Sequence, residues 1–189
     1  MALKLTVIIG SVRTGRVGPK VADWVFDAAR EQGDFDVTLV DLADVGLPLL
    51  DEPQHPVKQQ YVHEHTKRWS AIVADADAFL FVTPEYDFFA PASLINAIQY
   101  LSQEWKYKPA GIVSYGGVSG GLRSTQMLRL LLSNVNMHAV QQSVSIPFIA
   151  THIVDDVFVP PEHAAGSVNI MLVELHKWAG ALAPLHHHR

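Results

Sequence analysis

Five short apolar runs recur along the chain, and they constrain its fold more than any other feature of the sequence. Most of these runs are continuously apolar rather than alternating with polar residues. That pattern is typical of strands buried on both faces of a parallel sheet. The predicted strands are Leu3–Ile9, Phe35–Asp41, Ala78–Thr83, Ala110–Ser114 and Val140–Ile146.

Segments with helical periodicity follow each of these runs. The predicted helices are Val17–Gln32, Val57–Ala74, Pro91–Trp105, Leu122–Val135 and Glu162–Leu182. Strands that alternate with helices form right-handed β-α-β units, which build a doubly wound sheet. We therefore predict an α/β, flavodoxin-like three-layer sandwich with a five-stranded parallel sheet in the order 2-1-3-4-5.

The length of 189 residues suits one domain, and no internal repeat or linker divides the chain. We predict a single domain over residues 1–185. The histidine-rich end at 186–189 is either native or a remnant of an affinity tag, and we assign no metal to it. The Pro-rich stretch 147–161 is predicted to be a long surface loop.

Composition excludes several classes of function. A formal net charge of -5 does not provide the basic face of a general nucleic-acid binder. The absence of cysteine excludes disulfides, thiolate metal sites and a cysteine nucleophile. The sequence has neither an apolar run long enough to span a bilayer nor a signal-peptide pattern, and its histidines have no metal-ligand spacing. We expect a cytoplasmic protein without metal, nucleic-acid or membrane partners.

The loop after the first predicted strand reads GSVRTGR, residues 10–16. Its glycines expose backbone N–H groups, Ser11 offers a hydroxyl, and the next helix adds the positive end of its dipole. Arg13 and Arg16 each carry a guanidinium that can donate two hydrogen bonds to a phosphate. The loop fits neither the Walker A nor the dinucleotide-binding pattern. It predicts a phosphate site of another kind, and the alternative is a polar turn with solvent-facing arginines.

The loop after the third predicted strand reads TPEYDFFAP, residues 83–91. Pro84 makes the chain leave the sheet sharply, because the residue before a proline stays extended. Three aromatic residues follow, Tyr86, Phe88 and Phe89. They are suited to line a flat ring ligand, or alternatively to pack on a neighbouring helix or subunit, since large apolar side chains are usually buried.

The loop after the fourth predicted strand, SYGGVSGG at residues 114–121, contains four glycines. Such a loop either makes a wide turn or lets its backbone approach a ligand closely. Main-chain N–H and C=O groups suit the polar edge of a planar heterocycle. In the predicted sheet all three loops lie at the edge where ligands bind. Together they fit a ligand with a phosphate at one end and a flat ring at the other, which describes FMN.

The same segments carry a resemblance to a known family. The matching residues are GSVRTGR, then TPEYD with P, L.NAI.YL and EW across Thr83–Trp105, and then KPAGIVSYGGVSGGLRS at 108–124. In combination they resemble the NADPH-dependent FMN reductase family, over most of residues 3–140. The resemblance implies a flavodoxin-like fold with bound FMN. It also implies phosphate contacts from Ser11, Arg13 and Arg16.

The resemblance assigns further cofactor-binding residues to the other two loops. Along one side of the isoalloxazine ring it implies Pro84, Glu85, Tyr86 and Asp87, and along the other Tyr115, Gly116, Gly117 and Gly120. The family usually has Asn in place of Asp87, a small or polar residue in place of Phe89, and Lys in place of Ile95. An acidic Asp87 is expected to disfavour a reduced flavin anion, and Phe89 to narrow substrate access.

The implied activity is an oxidoreductase reaction in a ping-pong scheme. Hydride passes from NADPH or NADH to N5 of FMN, and the flavin then reduces a small acceptor. Quinones, azo compounds, free flavin and oxidised metal species are all compatible acceptors. Because the flavin carries the chemistry, no dedicated catalytic residue is assigned.

The resemblance also implies a homodimer or homotetramer. Two predicted helices carry more apolar surface than one sheet-facing stripe requires. In the helix after the third strand the extra residues are Ile95 and Trp105, and in the next helix they are Met127 and Leu130. The alternative is that the loop 147–161 covers this surface.

Two other functions remain open at this point. The residues around Ser119 satisfy the G-x-S-x-G pattern of a serine hydrolase, and candidate partners follow in the required order, Asp155 or Asp156 and then His163 or His176. Against it, no HGGG-like oxyanion segment is present. The other is a non-enzymatic flavodoxin-like electron carrier, which the two arginines of the first loop disfavour.

Overall fold

The computed structural model describes residues 2–186, and a parallel sheet of five strands lies at its centre. The strands are β1 Leu3–Ile9, β2 Phe35–Asp41, β3 Ala78–Pro84, β4 Pro109–Tyr115 and β5 His138–Ile146. Their spatial order is β2-β1-β3-β4-β5. This order confirms the predicted flavodoxin-like α/β fold. Of the tail at 186–189, only His186 lies within the described residues.

Helices cover both faces of this sheet. They are α1 Gly18–Gln32, α2 Leu42–Val45, α3 Glu64–Asp75, α4 Ala92–Gln99, α5 Leu122–Asn134 and α6 Glu162–His186. The buried side chains of α1 and α6 pack on one face of the sheet, and those of α3, α4 and α5 pack on the other. Each face therefore has its own apolar core, and the strands between them are buried on both sides.

The first helix shows why its predicted bounds were nearly correct. Pro19 lies in the first turn, where a missing N–H costs little. Gly33 ends the helix with φ of 78°, a left-handed conformation that glycine adopts readily. Gly18 begins the helix beside Ser11, where an added Cβ would collide with the Ser11 hydroxyl oxygen. Local residue chemistry thus determines both ends of α1.

The second predicted helix is wrong at its start. It was expected from Val57, but α3 begins at Glu64. The carboxylate of Glu52 accepts the backbone amides of Val62 and His63 at 2.9 and 3.1 Å, which holds this stretch outside the helix. The start of α3 is therefore set by a residue that lies before the predicted helix.

The third predicted helix is wrong at its end, because α4 stops at Gln99 and not at Trp105. A separate 3-10 turn, Gln103–Trp105, follows. The Trp105 ring is fully buried against Trp69, and its indole N–H donates to the carbonyl of Ile98 at 3.0 Å. Trp105 thus belongs to the core. The prediction that it broadens an apolar surface for a partner is wrong.

The stretch 147–161 is more ordered than the predicted surface loop. It contains a short antiparallel hairpin of β6 Ile153–Val154 and β7 Val157–Phe158. The two turn residues, Asp155 and Asp156, have φ of 47° and 65°, as a type I′ turn requires. The Lys20 ammonium contacts the Asp156 carboxylate at 2.5 Å and fastens the hairpin to α1.

Parallel pairing brings three loops to one edge of the sheet. The residue pairs Ile9 with Val82 and Pro84 with Tyr115 align the carboxyl ends of β1, β3 and β4. The loops that follow these strands therefore lie side by side, as predicted. Within residues 2–186, no helix has both the length and the apolar character needed to cross a bilayer.

Candidate functional site

The loop between β1 and α1 presents a row of unused backbone amides. Among residues 2–186, the amides of Val12, Arg13, Thr14 and Gly15 donate no hydrogen bond. The amide of Arg16 closes a turn onto the carbonyl of Arg13 at 3.2 Å. Consecutive free amides next to a helix N-terminus form a concave site for an anion. This is the geometry expected of a phosphate-binding loop.

The two arginines of this loop differ in their environment. Arg13 is exposed, and its guanidinium carbon lies 5.5 Å from the centre of the Tyr86 ring. Arg16 is half-buried and donates to both carboxylate oxygens of Asp41 at 2.6 Å and to the carbonyl of Ser11 at 2.5 Å. The hydrogen bonds to Asp41 raise the pKa of Arg16. Arg13 is thus available to an anion, whereas Arg16 fastens the loop to the end of β2.

The hydroxyls of Ser11 and Tyr115 lie beneath the loop. Both side chains are buried, and their oxygens are 3.4 Å apart. Burial, more than any other cause, raises the pKa of Tyr115 to about 12, so its phenol is neutral. A side chain on Gly18 would fill the space that this pair occupies. The predicted phosphate contact of the Ser11 hydroxyl stays a prediction, because the hydroxyl points inward here.

Glu85 follows the buried end of β3 and joins two loops. Its amide donates to the carbonyl of Tyr115 at 3.1 Å. Its carboxylate accepts the hydroxyl of Ser119 at 2.9 Å, and the Nη1 and amide of Arg123 at 2.8 and 3.0 Å. Burial would raise the pKa of Glu85, but the hydrogen bonds from Arg123 and Ser119 outweigh it, so this pKa is lowered. Glu85 is therefore an ionised anchor between the loops.

Residues 86–89 form a tight turn. The backbones of Tyr86 and Phe89 exchange two hydrogen bonds of 2.9 Å. The central residues, Asp87 and Phe88, have φ of 49° and 75°, and a type I′ turn requires positive φ at both positions. Asp tolerates the left-handed region, but a bulky aromatic residue rarely adopts it. The turn places the Phe88 and Phe89 rings at the surface, where both are more than half exposed.

The glycines after β4 have two different roles. Gly120 and Gly121 have φ of 60° and 83°, and an added Cβ on Gly121 would lie 2.6 Å from that of Ser114. These two glycines are required by the backbone itself. A Cβ on Gly117, by contrast, would meet no atom within 4 Å. Gly117 is thus the position of this loop that is open to a ligand.

The geometry gives no support to a serine hydrolase. The Ser119 hydroxyl donates to Glu85, and no histidine is among its described partners. His176 packs edge-on against Phe35, the first residue of β2, at the opposite edge of the sheet. Among residues 2–186, no group of three histidine or carboxylate side chains is placed to hold a metal ion.

Residues 3–151 match the family described as NADPH-dependent FMN reductase. The chain belongs to this family. An NAD(P)H-dependent FMN reductase of Schizosaccharomyces pombe is 45% identical over 126 residues, which cover 66% of this chain and 63% of that protein. Another from Nectria sp is 37% identical over 153 residues, covering 78% of this chain and 76% of that protein. These matches confirm the predicted family and class, an FMN-using, NAD(P)H-dependent oxidoreductase.

Two further comparisons extend this result. A quinone reductase of Pseudomonas putida is 31% identical over 143 residues, covering 72% of this chain and 73% of that protein. Among solved structures, the flavoenzyme NAD(P)H:(acceptor) oxidoreductase of Paracoccus denitrificans has a TM-score of 0.74. It covers 95% of this chain and 98% of that one at 22% identity, so it supports the flavodoxin-like fold alone.

Two residues that form ion pairs with predicted site residues were missed from the sequence. Asp41 ends β2 and pairs with Arg16, and Arg123 opens α5 and pairs with Glu85. The usable signal was positional. Both charged residues stand at the predicted boundary between an element and its loop, on the ligand-binding edge of a doubly wound sheet.

Proposed function

We propose that this FMN reductase binds FMN across the three loops and uses NAD(P)H to reduce small acceptors, with quinones as the favoured class. One observation carries the proposal: the free amides of residues 12–15 share a sheet edge with the open backbone at Gly117. A phosphate site and a flat-ring site then lie along one ligand. Bound FMN supplies hydride acceptance at N5 and electron transfer to a second substrate.

The phosphate end of the site is assigned to the first loop. The amides of residues 12–15 and the exposed guanidinium of Arg13 are the groups free to bind phosphate oxygens. Arg16 contributes to phosphate binding indirectly, because it holds the Ser11 carbonyl and thereby orients the amides that follow. The Ser11 hydroxyl supports the loop from below through Tyr115.

The ring end of the site is assigned to the other two loops. Pro84, Glu85, Tyr86 and Asp87 border one side of the proposed isoalloxazine position, and Tyr115, Gly116, Gly117 and Gly120 border the other. Gly117 leaves room for the polar edge of the ring. Tyr86 links this end to the phosphate end through its contact with Arg13.

Quinones are favoured as acceptors for two reasons. The first is that the Pseudomonas putida relative is a quinone reductase. The second is that a donor and a planar acceptor can occupy one open ring face in turn, which suits the ping-pong scheme. Azo compounds, free flavin and metal species stay alternative acceptors, and NADPH and NADH stay alternative donors.

A comparison of FMN with riboflavin tests the proposed site. Arg13→Ala is expected to weaken FMN binding by about 1.5–3 kcal/mol, the range for a hydrogen bond to a charged group. Riboflavin, which lacks the phosphate, is expected to bind equally to both proteins. Arg30→Ala is the matched control, since Arg30 also lies over an aromatic ring, that of Phe26 in α1. Equal losses for FMN and riboflavin would contradict the assignment of Arg13.

A second test concerns the activity. The FMN-loaded protein is expected to oxidise NADPH or NADH faster when a small quinone is added. Retention of FMN without any stimulation by quinone, azo compound, flavin or metal would favour an electron carrier instead. Failure to retain FMN at all would refute the proposal.

We also infer that the working unit is a homodimer or a dimer of dimers. The side chain of Leu130 in α5 is 76% exposed, and Leu122 in the same helix is half exposed. Together they extend the apolar surface of α5 beyond its sheet-facing stripe, and we assign this surface to a partner subunit. Phe89 of the ring loop is also exposed, so a second copy that covers α5 would approach near the flavin site. The single domain over 1–185 and the cytoplasmic location stay predictions.

A further inference from the structure

Phe88 has an unusual conformation for a bulky side chain. It occupies the second central position of the 86–89 turn with φ of 75°, and the residue is 59% exposed. A left-handed backbone is unfavourable for an aromatic L-residue. Such a conformation persists only where neighbouring contacts hold it. The relevant contact comes from α5.

The guanidinium of Arg123 covers the Phe88 ring. Its central carbon lies 4.3 Å from the ring centre, within the range of a cation–π interaction. The same guanidinium donates to Glu85 at 2.8 Å, and the Arg123 amide donates to the other Glu85 oxygen at 3.0 Å. Arg123 is therefore fixed by the carboxylate on one side and holds the phenyl ring on the other.

This contact connects the two loops at the ring end of the site. Glu85 precedes the turn and also accepts the hydroxyl of Ser119, which belongs to the glycine loop. Glu85 thus joins the two loops directly, and Arg123 connects the same carboxylate to the Phe88 ring. The side chain of Arg123 is half exposed, and the turn is not buried, so both are accessible to a substrate at this edge.

We propose that Phe88 determines acceptor specificity and that Arg123 is the positioning residue that holds it. The fixed phenyl ring forms a wall beside the ring end of the flavin site. It admits compact planar quinones and hinders quinones with several fused rings. This inference rests on the proposed function, and it names a size class for the acceptor of that same site.

The contact itself is tested without activity, in protein labelled with 4-fluorophenylalanine. The Phe88 fluorine resonance is assigned by its loss in Phe88→Leu. We expect Arg123→Ala to move this resonance toward that of the free amino acid and to narrow it. Arg30→Ala is the matched control, because Arg30 lies over Phe26 at 5.5 Å and is expected to move only the Phe26 resonance. An unchanged Phe88 resonance in Arg123→Ala would overturn the positioning role.

Specificity is tested with a compact benzoquinone and a fused-ring quinone. Phe88→Gly removes the ring and tolerates the left-handed backbone. We expect Arg123→Ala to raise the ratio of kcat/KM for the fused-ring quinone over the compact one about two- to fivefold, the scale of a lost exposed cation–π contact. Phe88→Gly removes the ring itself and is expected to raise this ratio at least as much. Arg123→Lys keeps a cation for Glu85 but not the flat face, and it is expected to resemble Arg123→Ala.

The possible outcomes separate this inference from the proposed function. FMN affinity is measured for each variant, so that a collapsed fold is recognised. An unchanged ratio in Phe88→Gly overturns the inference, even where Arg123→Ala changes it. A wild-type protein that binds no FMN or reduces no quinone refutes the proposed function, whatever the fluorine spectra show.

Discussion

Arg16 and Asp41 form a two-point ion pair, with Nη1–Oδ1 and Nη2–Oδ2 distances of 2.6 Å. Asp41 is the last residue of β2, and its Oδ1 also accepts the amide of Ala43 at 2.9 Å, at the start of α2. The pair therefore ties the first loop to the neighbouring strand. Because Arg16 also holds the Ser11 carbonyl, the ion pair fixes the direction of the amides that follow.

Replacing Asp41 by Asn distinguishes two roles for Arg16, which are positioning the loop and binding the phosphate directly. If Arg16 is a positioning residue, the loop loses its anchor and FMN binds more weakly, by roughly tenfold or about 1.4 kcal/mol at 25 °C. Electrostatics alone predict the opposite, since removing a negative charge near a phosphate favours the phosphate. Fluorescence titration with FMN gives the sign directly. Tighter binding by Asp41→Asn would contradict the positioning role of Arg16, because the lost negative charge would then outweigh the lost anchor.

The two kinds of glycine in the loop after β4 give a second prediction. Gly121→Ala is expected to destabilise the fold by about 1–3 kcal/mol, because a left-handed backbone and overpacking act together. A Cβ there would lie 2.6 Å from Ser114 Cβ. Gly117→Ala is the matched control in the same loop and should leave the melting temperature nearly unchanged.

Gly117→Ala carries an expectation of its own for the ligand. If the ring edge approaches the Gly117 backbone, the added methyl group hinders FMN without affecting stability. Thermal unfolding of the apo protein and FMN titration measure the two effects separately. Unchanged FMN affinity in Gly117→Ala would move the ring away from this loop.

The sheet was predictable because its signal is local. Leu3–Ile9 and Phe35–Asp41 have the bounds that their apolar runs indicated. Helix ends were less predictable, because distant side chains decide them. The carboxylate of Glu52 holds the chain before α3, and the burial of Trp105 draws the chain out of a continuous α4. The hydrophobic periodicity of a short stretch of sequence carries no information about such distant contacts.

Glu85 makes a prediction about pH. Its pKa lies below the ordinary value of 4.5, so its ionised form stabilises the fold above that pH. This contribution is lost as pH falls below 4.5 through the lowered pKa of the folded state. We expect Glu85→Gln to cost about 1–2 kcal/mol at pH 7, on the scale of hydrogen bonds to a charged group. The difference in melting temperature should then shrink steadily toward acid.

The control is a carboxylate of the same type with an exposed partner. Glu64 pairs with Lys67 on the surface of α3, where both side chains are mostly solvated. Solvent screens exposed ion pairs, so Glu64→Gln should change stability little at any pH. A difference in melting temperature between the wild type and Glu85→Gln that widened in acid would contradict the lowered pKa of Glu85.

Parts of the site were predictable and parts were not, for the same physical reason. The placement of the three loops at one edge of the sheet follows from the strand order, which the sequence patterns indicate. The different roles of Arg13 and Arg16 do not follow, because nothing local distinguishes two arginines in one loop. Their difference arises from Asp41, which strand pairing brings beside Arg16. The contact of Phe88 could not be predicted either, since its partner Arg123 lies in another element.

Ser119 provides a direct test against hydrolase chemistry. Its hydroxyl is a donor to Glu85 at 2.9 Å, so Ser119→Ala is expected to lower stability by about 1 kcal/mol and to retain reductase turnover. A fluorophosphonate probe should leave the wild-type protein unlabelled. Stoichiometric labelling of Ser119, with esterase activity lost in Ser119→Ala, would reverse the assignment of the reaction.

Assembly is tested by placing a charge on the exposed face of α5. Leu128 and Leu132 are buried against the sheet, whereas Leu130 points outward and is 76% exposed. Burial of one leucine at an interface contributes about 1.5–3 kcal/mol, so Leu130→Glu is expected to raise the dimer dissociation constant tenfold or more. Ile170→Glu is the matched control, because Ile170 is 59% exposed on α6, which covers the other face. Light scattering across a concentration series should show that Leu130→Glu dissociates at higher protein concentration than the wild type, with a parallel loss of quinone turnover. Ile170→Glu should dissociate like the wild type. A wild-type monomer with full turnover would refute the dimer as the working unit.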